Sequence, residues 1–461
     1  MVIKNGLVKT NPWENIVEMK KRISPIRFFL FLLASSLVIP YSFVISRFGG
    51  RPVRLILSDF VLLVLIPLVL LGALIKRRFL RRRSPVDLPF LLFLIVCLLG
   101  ILKITILGYE EPSPLFNIAS FLSWIRLPLF YFVAVNLIKD EKEAKNLIKT
   151  MILVLGIVTI IIFSQNFYCN FLLSFAFGHR WSGNLFSQEI FGYPNGFASF
   201  LVLTFITLLA FFLFSGEFKY KFLFPLLIIQ GLYILFLFSR SAYLALAVSL
   251  ISLGLLKKRI WGIFLSGLFL VVLATGIILF PPFSSVKERI RYTFFIPSAF
   301  QMKIGILKLD RSTATRLNLW KVALKGIAKE PFLGEGFSPF SKIAPYYIGD
   351  PKIPPYTRKI FDVHSQYIEM LWKTGIFGLM IFLWILGVIY KEGLRLLRIT
   401  KLKFTKSYAL GFLAGFTGLL FSNLTQANLT YLLTAELFWF MAGIVTVFLH
   451  FEKKNEDLLS R

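Results

Sequence analysis

The chain has 461 residues, 57% of them hydrophobic and 16% charged, and its mean hydropathy of +0.76 excludes an ordinary soluble protein. The formal charge of +29, from 52 basic and 23 acidic residues, sits in short clusters between apolar runs. That is the pattern of membrane-anchoring loops, so no nucleic-acid partner is expected.

A hydrocarbon core about 30 Å thick needs about 20 apolar residues per helical span. Lys20, Lys21 and Arg22 precede the first long apolar run without a clear small-residue cleavage site, which predicts a retained first helix rather than a removed signal peptide. Spans are predicted at 27–46, 55–75, 86–107, 115–138, 148–166, 195–214, 222–238, 241–257, 260–280, 366–390, 408–424 and 430–449. The predicted fold is an all-α polytopic membrane protein of about twelve transmembrane helices. It divides into a nine-span region, 1–280, a large loop, 281–365, and a three-span region with its tail, 366–461. The 52 phenylalanines are expected to pack toward lipid. Cys97 and Cys169, one of them inside a span, read as packed thiols rather than a disulfide or a metal-thiolate site.

With both termini on the cytoplasmic side, the short inner segments hold 29 basic residues and the short outer loops 5. This asymmetry predicts the orientation, because Lys and Arg in short loops resist translocation. The long outer loop holds 14 more, but segments of that length cross largely regardless of charge.

Within the loop, residues 314–329 read as an amphipathic helix, followed by Pro331, Gly334 and Gly336 as stop signals. Leu317, Trp320, Leu324 and Ile327 share one face, Lys321, Lys325 and Lys329 another, and Arg316 lies in the first turn. Such a helix can lie over the bundle or on the membrane surface, with its lysines near lipid phosphates.

His364 closes the loop at the mouth of the tenth span and is the candidate proton-transfer group. Arg240, in Ser239-Arg240-Ser241, is a polar break between two apolar runs on the same predicted side as His364 and Arg316. It reads either as an arginine reaching lipid headgroups or as a clamp for an anion, since the guanidinium fork suits phosphate oxygens. Lys103 and Arg126 interrupt the third and fourth spans and point either toward substrate or toward acids such as Asp59. Glu369 and Lys373, four residues apart, predict an ion pair, while Glu436 has no partner assignable from sequence. There is no Asp-x-Asp, no Walker A sequence and no Cys/His cluster of zinc spacing. A cofactor-free, metal-independent reaction on a preactivated substrate is therefore expected.

Taken together, Ser239-Arg240-Ser241, Arg316-x-x-Leu-Trp320 with Pro331-Phe-Leu-Gly-Glu-Gly336, and His364-Ser-Gln-Tyr367 followed by Gly375-Ile-Phe-Gly378 resemble the O-antigen ligase and polymerase superfamily. Tyr193-Pro-Asn195 looks like a further element of it, and Ser365 stands where that family often has Asn. The resemblance implies a glycosyltransferase of the bacterial inner membrane with its active site facing the periplasm. Its donor would be an undecaprenyl-diphosphate-linked glycan, its acceptor a lipid A-core sugar or a carrier-linked glycan, and lipids its surroundings. It implies that Arg240 and Arg316 hold the diphosphate and that His364 is the base; Arg180, Asn195, Lys103, Arg126 and Tyr367 are the further candidates for lining the substrate site. A ligase is the first reading and a repeat-unit polymerase the second. A secondary transporter or lipid flippase is the alternative from another class, since a twelve-span bundle with intramembrane charges also suits alternating access.

Overall fold

The computed structural model describes residues 25–39, 42–48, 51–76, 82–106, 114–166, 194–216, 218–237, 239–257, 301–304, 307–337, 340 and 363–459. The described helices are α1 (Pro25–Ser36), α2 (Leu57–Lys76), α3 (Asp87–Ile106), α4 (Pro114–Leu137), α5 (Glu141–Asn166), α6 (Pro194–Phe214), α7 (Leu223–Phe236), α8 (Arg240–Leu256), α9 (Arg311–Lys329), α10 (Gln366–Ile399), α11 (Lys403–Ser422) and α12 (Leu432–Leu459). Among the described residues, six helices are long and apolar enough to cross a membrane, and four shorter ones are apolar. The protein is an all-α polytopic membrane protein, with two small hairpins as its described strands. The predicted ninth span, 260–280, and Cys169 lie outside the described residues.

The first hairpin pairs β1 (Ser42–Phe48) with β2 (Arg51–Ile56), from Ser42↔Ile56 to Phe48↔Arg51. It corrects the predicted span 27–46. The helix stops at Ser36, and the β-branched and aromatic run Ser42-Phe-Val-Ile pairs as a strand instead. The second pairs β3 (Gln301–Ile304) with β4 (Leu307–Asp310) and runs directly into α9.

Helices α6, α11 and α12 form the centre of the bundle, while α3 and α5 expose Leu91, Leu98, Leu102 and Leu153 as a lipid-facing surface requires. In α11 the centre is built on small residues. A Cβ on Gly411 would lie 2.7 Å from Thr207 Cα of α6, and one on Gly418 2.5 Å from the Ala245 carbonyl of α8. Such close backbone approach is how membrane helices associate where lipid gives little hydrophobic drive. Phe438 of α12 fills the adjoining space, its ring 4.7 Å from Phe416 and 5.9 Å from Phe412. Phe93, Phe130, Phe200, Phe205, Phe211 and Phe382 are likewise fully buried, so much of the phenylalanine excess fills the interior as well as facing lipid.

Helix α10 is broken where it crosses the bundle. Gly375 has φ 63° and ψ −169°, which frees backbone groups on either side of it. Residues 331–336 of the large loop fill the break. Glu335 N–H donates to the Trp372 carbonyl at 2.7 Å, Gly336 N–H to the Lys373 carbonyl at 3.1 Å, and Ile376 N–H to the Pro331 carbonyl at 2.8 Å. The contact leaves no room for side chains. A Cβ on Gly334 (φ 70°) would lie 2.5 Å from the Trp372 carbonyl oxygen, and one on Gly375 would collide with the backbone of Phe332.

Gly375→Ala is therefore expected to destabilise the folded protein by more than about 1 kcal/mol, as alanine does where φ is positive. Gly387→Ala, in the same helix with nothing within 4 Å of the added Cβ, should be neutral or stabilising. Thermal unfolding in detergent checks both, and equal loss in the two variants would contradict the interlock.

Candidate functional site

The site is built on the N-terminal end of α10. His364 has φ 52°, the only non-glycine residue with positive φ among the described residues. This left-handed conformation is sparsely populated for residues with a Cβ, and it persists where surroundings over-determine it. Here three anchors do so. Upstream, the Trp320 indole N–H of α9 donates to the Val363 carbonyl at 2.9 Å. Ser365, extended at φ −154°, caps α10 by accepting Ile368 N–H at 3.5 Å. Downstream, Gln366 N–H is shared between the carbonyls of Asn423 at 2.9 Å and Gln426 at 3.1 Å. Val363, Ser365 and Gln366 are buried; His364 between them is half-buried, with its Nδ1 enclosed.

Helix α9 reaches His364 by packing on α10 through Leu319, Val322 and Ala323, against Trp372, Val363 and Phe340. Of the predicted face of Leu317, Trp320, Leu324 and Ile327, Trp320 and Ile327 pack against this cluster, whereas Leu324 is 53% exposed. Volume explains the difference. A Cβ on Gly326 would lie 2.8 Å from Trp372 Cη2, so the contacting face is the one small enough to admit the indole. Lys321, Lys325 and Lys329 are exposed as expected. The helix starts at Arg311, so Arg316 falls in its second turn, half-buried and one turn before Trp320. Arg316 is thus carried on the element that also holds Val363.

Arg240 is half-buried at the start of α8, after the extended residue Ser239, and the first turn of α8 has no acidic residue. Helix α8 packs on α11 with Gly418 against Ala245, and its far end, at Lys257 over the Phe214 ring, lies where Gly216 meets Lys403 at the start of α11, so the two helices run antiparallel. Arg240 therefore lies toward the end of the bundle that carries Asn423 and the His364 bend. Asn195 is half-buried in the first turn of α6. Its neighbour Gly196 lies against the Tyr431 ring, with its carbonyl accepting Thr434 Oγ1 at 2.9 Å. The turn between α11 and α12 is consequently a hub that α6, α10 and α11 share.

That hub is polar and enclosed. Asn423, Gln426 and Asn428 are each 0% exposed. Asn428 Nδ2 donates to Ser422 Oγ and Asn423 Oδ1, both at 3.0 Å. Asn423 Nδ2, Asn428 Oδ1 and both polar atoms of the Gln426 amide are buried without a hydrogen-bond partner.

Lys103, Arg126 and Lys373 each meet a carboxylate. Lys103 Nζ lies 2.8 Å from Glu330 Oε2 and 2.8 Å from the Gly334 carbonyl. Arg126 Nη1 lies 3.0 Å from Asp59 Oδ1, the acidic partner considered from sequence. Lys373 pairs with Glu369 as the spacing predicts. Glu436 accepts a hydrogen bond from Ser58 and lies beside the Asp59–Arg126 pair. Tyr367 donates its hydroxyl to the Leu420 carbonyl at 2.8 Å, fastening α10 to α11. Arg180 lies outside the described residues. Among the described residues no group of three or more His, Cys, Asp or Glu side chains could hold a metal ion.

Sequence reasoning passed over Trp320 as a hydrogen-bond donor and Gln366 as an anchor. No periodicity marks a contact across 43 residues; only the motifs that contain them hinted at a role. Trp320→Phe keeps the ring but leaves the buried Val363 carbonyl without its donor. It should cost about 1–3 kcal/mol in stability and lower activity beyond that loss. An unchanged melting temperature would show that the indole bond does not hold the bend.

No curated protein matches the chain significantly. Residues 225–383 match the model of the O-antigen ligase family, roughly a third of the chain, from α7 through the middle of α10. The matched stretch contains Arg240, Arg316, the His364 bend, and both partners of the interlock at Gly375. Over those residues the chain is similar to the O-antigen ligase family, in agreement with the resemblance of its motifs to the O-antigen ligase and polymerase superfamily.

Proposed function

We propose that the protein is an O-antigen ligase that transfers a glycan from undecaprenyl diphosphate to a sugar hydroxyl of a lipid A-core acceptor. The family match supports glycan transfer. The observation that carries the residue roles is the left-handed His364 bend, fixed by the same helix that bears Arg316. Strain of this kind is kept where a side chain must be aimed.

In this reading His364 accepts the proton of the acceptor hydroxyl as its oxygen attacks the anomeric carbon. The bond to the diphosphate oxygen breaks from the opposite face, inverting the centre. Charge then develops on the departing diphosphate, where Arg240 and Arg316 stabilise it, a preorganised electrostatic contribution that is often the largest in catalysis. Arg240 is well placed for this. A cation in the first turn opposes the helix dipole, and an anion at that end of α8 interacts favourably with both the guanidinium and the dipole. The loop and the site face the periplasm, and both termini are cytoplasmic, in keeping with the charge asymmetry of the short loops.

Two measurements test this. With purified protein and lipid-linked glycan, Arg240→Ala and Arg316→Ala should weaken donor binding as well as turnover, by about 2–5 kcal/mol for a buried charge-assisted contact. Arg316→Lys should recover only part of it, because a point charge lacks the fork. His364→Ala should leave donor affinity nearly unchanged while turnover falls roughly 10²-fold or more. Near-normal transfer by folded His364→Ala would remove the base, and a product consisting of carrier-linked polymer would replace the ligase with a polymerase. For orientation, a cysteine at Lys352 in a variant lacking Cys97 and Cys169 should react with an impermeant reagent in intact spheroplasts, and one at Arg398 should not. The opposite pattern inverts the protein.

A further inference from the structure

The anchor downstream of His364 is more elaborate than a backbone contact. The Gln366 side chain is 0% exposed and spans the gap between α10 and the start of α12. Its Oε1 accepts Leu429 N–H at 2.9 Å, and Thr430 Oγ1 lies 3.4 Å from both Oε1 and Nε2. A backbone N–H can only donate, so the Leu429 contact fixes which end of the amide is oxygen. With the bonds of its own N–H to the Asn423 and Gln426 carbonyls, Gln366 bridges both strands of the α11–α12 turn.

We propose that Gln366 is a positioning residue for His364, setting the imidazole's orientation by tying the bend to the α11–α12 turn. The proposal rests on the reading of His364 as the base. The geometry favours aim over general packing for two reasons. Gln366 is two residues from a side chain held at φ 52°, so rotation about the intervening bonds moves the imidazole directly. The turn it grips also carries Tyr431, which lies against Gly196 beside Asn195. The amide therefore sets His364 relative to α6 as well as α11. Displacing a catalytic group by about 1 Å can cost about 10²-fold in rate while leaving binding intact.

Gln366→Met keeps length and volume and removes the acceptor for Leu429 N–H; Gln366→Glu keeps that acceptor. Purified variants are assayed with lipid-linked glycan, and each is also made in the His364→Ala background. Gln366→Met should lower kcat by roughly 10-fold to 100-fold with donor and acceptor KM within about 3-fold of the parent. Gln366→Glu should recover most of the loss, and in His364→Ala protein Gln366→Met should change the residual rate by less than about 2-fold. The inference is overturned if Gln366→Met turns over normally, if KM rises while kcat holds, or if the loss is equally large without His364. If His364→Ala alone transfers near-normally, the base reading fails and this inference with it; if His364→Ala is inactive and Gln366→Met is silent, only this inference fails.

Discussion

Inside a bilayer every peptide N–H and C=O must find a partner within the protein, because neither water nor lipid supplies one. A helix broken at Gly375 violates this unless something fills the break, and residues 331–336 do so with three backbone hydrogen bonds. Each such group left unpaired would cost about 1–3 kcal/mol, so the break and the loop segment exist only together. The interlock also sets where the loop can go. Glu330 directly follows α9, so docking residues 331–336 against α10 brings α9 alongside it. Trp372 meets Gly326, Trp320 reaches Val363, and the His364 bend follows.

Charge within the bundle obeys the same constraint. Placing a lysine, arginine or aspartate at the centre of a helix costs about 2.5–3.5 kcal/mol on insertion scales, so an intramembrane charge invites a functional reading. Lys103, Arg126 and Lys373 are each met by a carboxylate, and Lys103 also receives the Gly334 carbonyl from the interlock itself. The Lys103 pair joins α3 to the loop and the Arg126 pair joins α4 to α2, while the Lys373 pair lies within α10. Arg240 and Arg316 differ in position: each is borne near the start of a helix, toward the end of the bundle where His364 lies.

The helical class, most spans and the loop helix were legible in the sequence because each is written in local periodicity and composition. The ion pair of Glu369 with Lys373 was legible for the same reason, whereas Arg126 with Asp59 was one of two readings that the sequence left open. The first span was overrun because the run continues through Ser42-Phe-Val-Ile, whose strand pairing depends on the partner segment 51–56. The α9 face was drawn only in part, with Trp320 and Ile327, because periodicity weights large apolar residues, whereas contact with Trp372 also selects the small ones at 323 and 326. The interlock could not be read at all. Pro331 to Gly336 and Gly375 to Gly378 looked like two separate glycine motifs, although the first is the filling for the second.

His364 owes its conformation to the cap at the adjoining Ser365 and to contacts from two regions far from it in sequence, α9 at Trp320 and the α11–α12 turn at Asn423 to Thr430. Two of the three anchors come from other elements, so α10 alone does not preform the site. An isolated α10 would place residue 364 as a free end preceding its cap, where φ near −60° or −120° costs less than 52°. The bend is therefore stable only after the loop helix has docked and the last two helices have closed around Gln366. A base aimed by such a bend is ready only in the completed bundle. The strained residue, the broken helix and the buried amides of the hub are in this sense one arrangement, in which local cost at His364 is offset by pairing elsewhere.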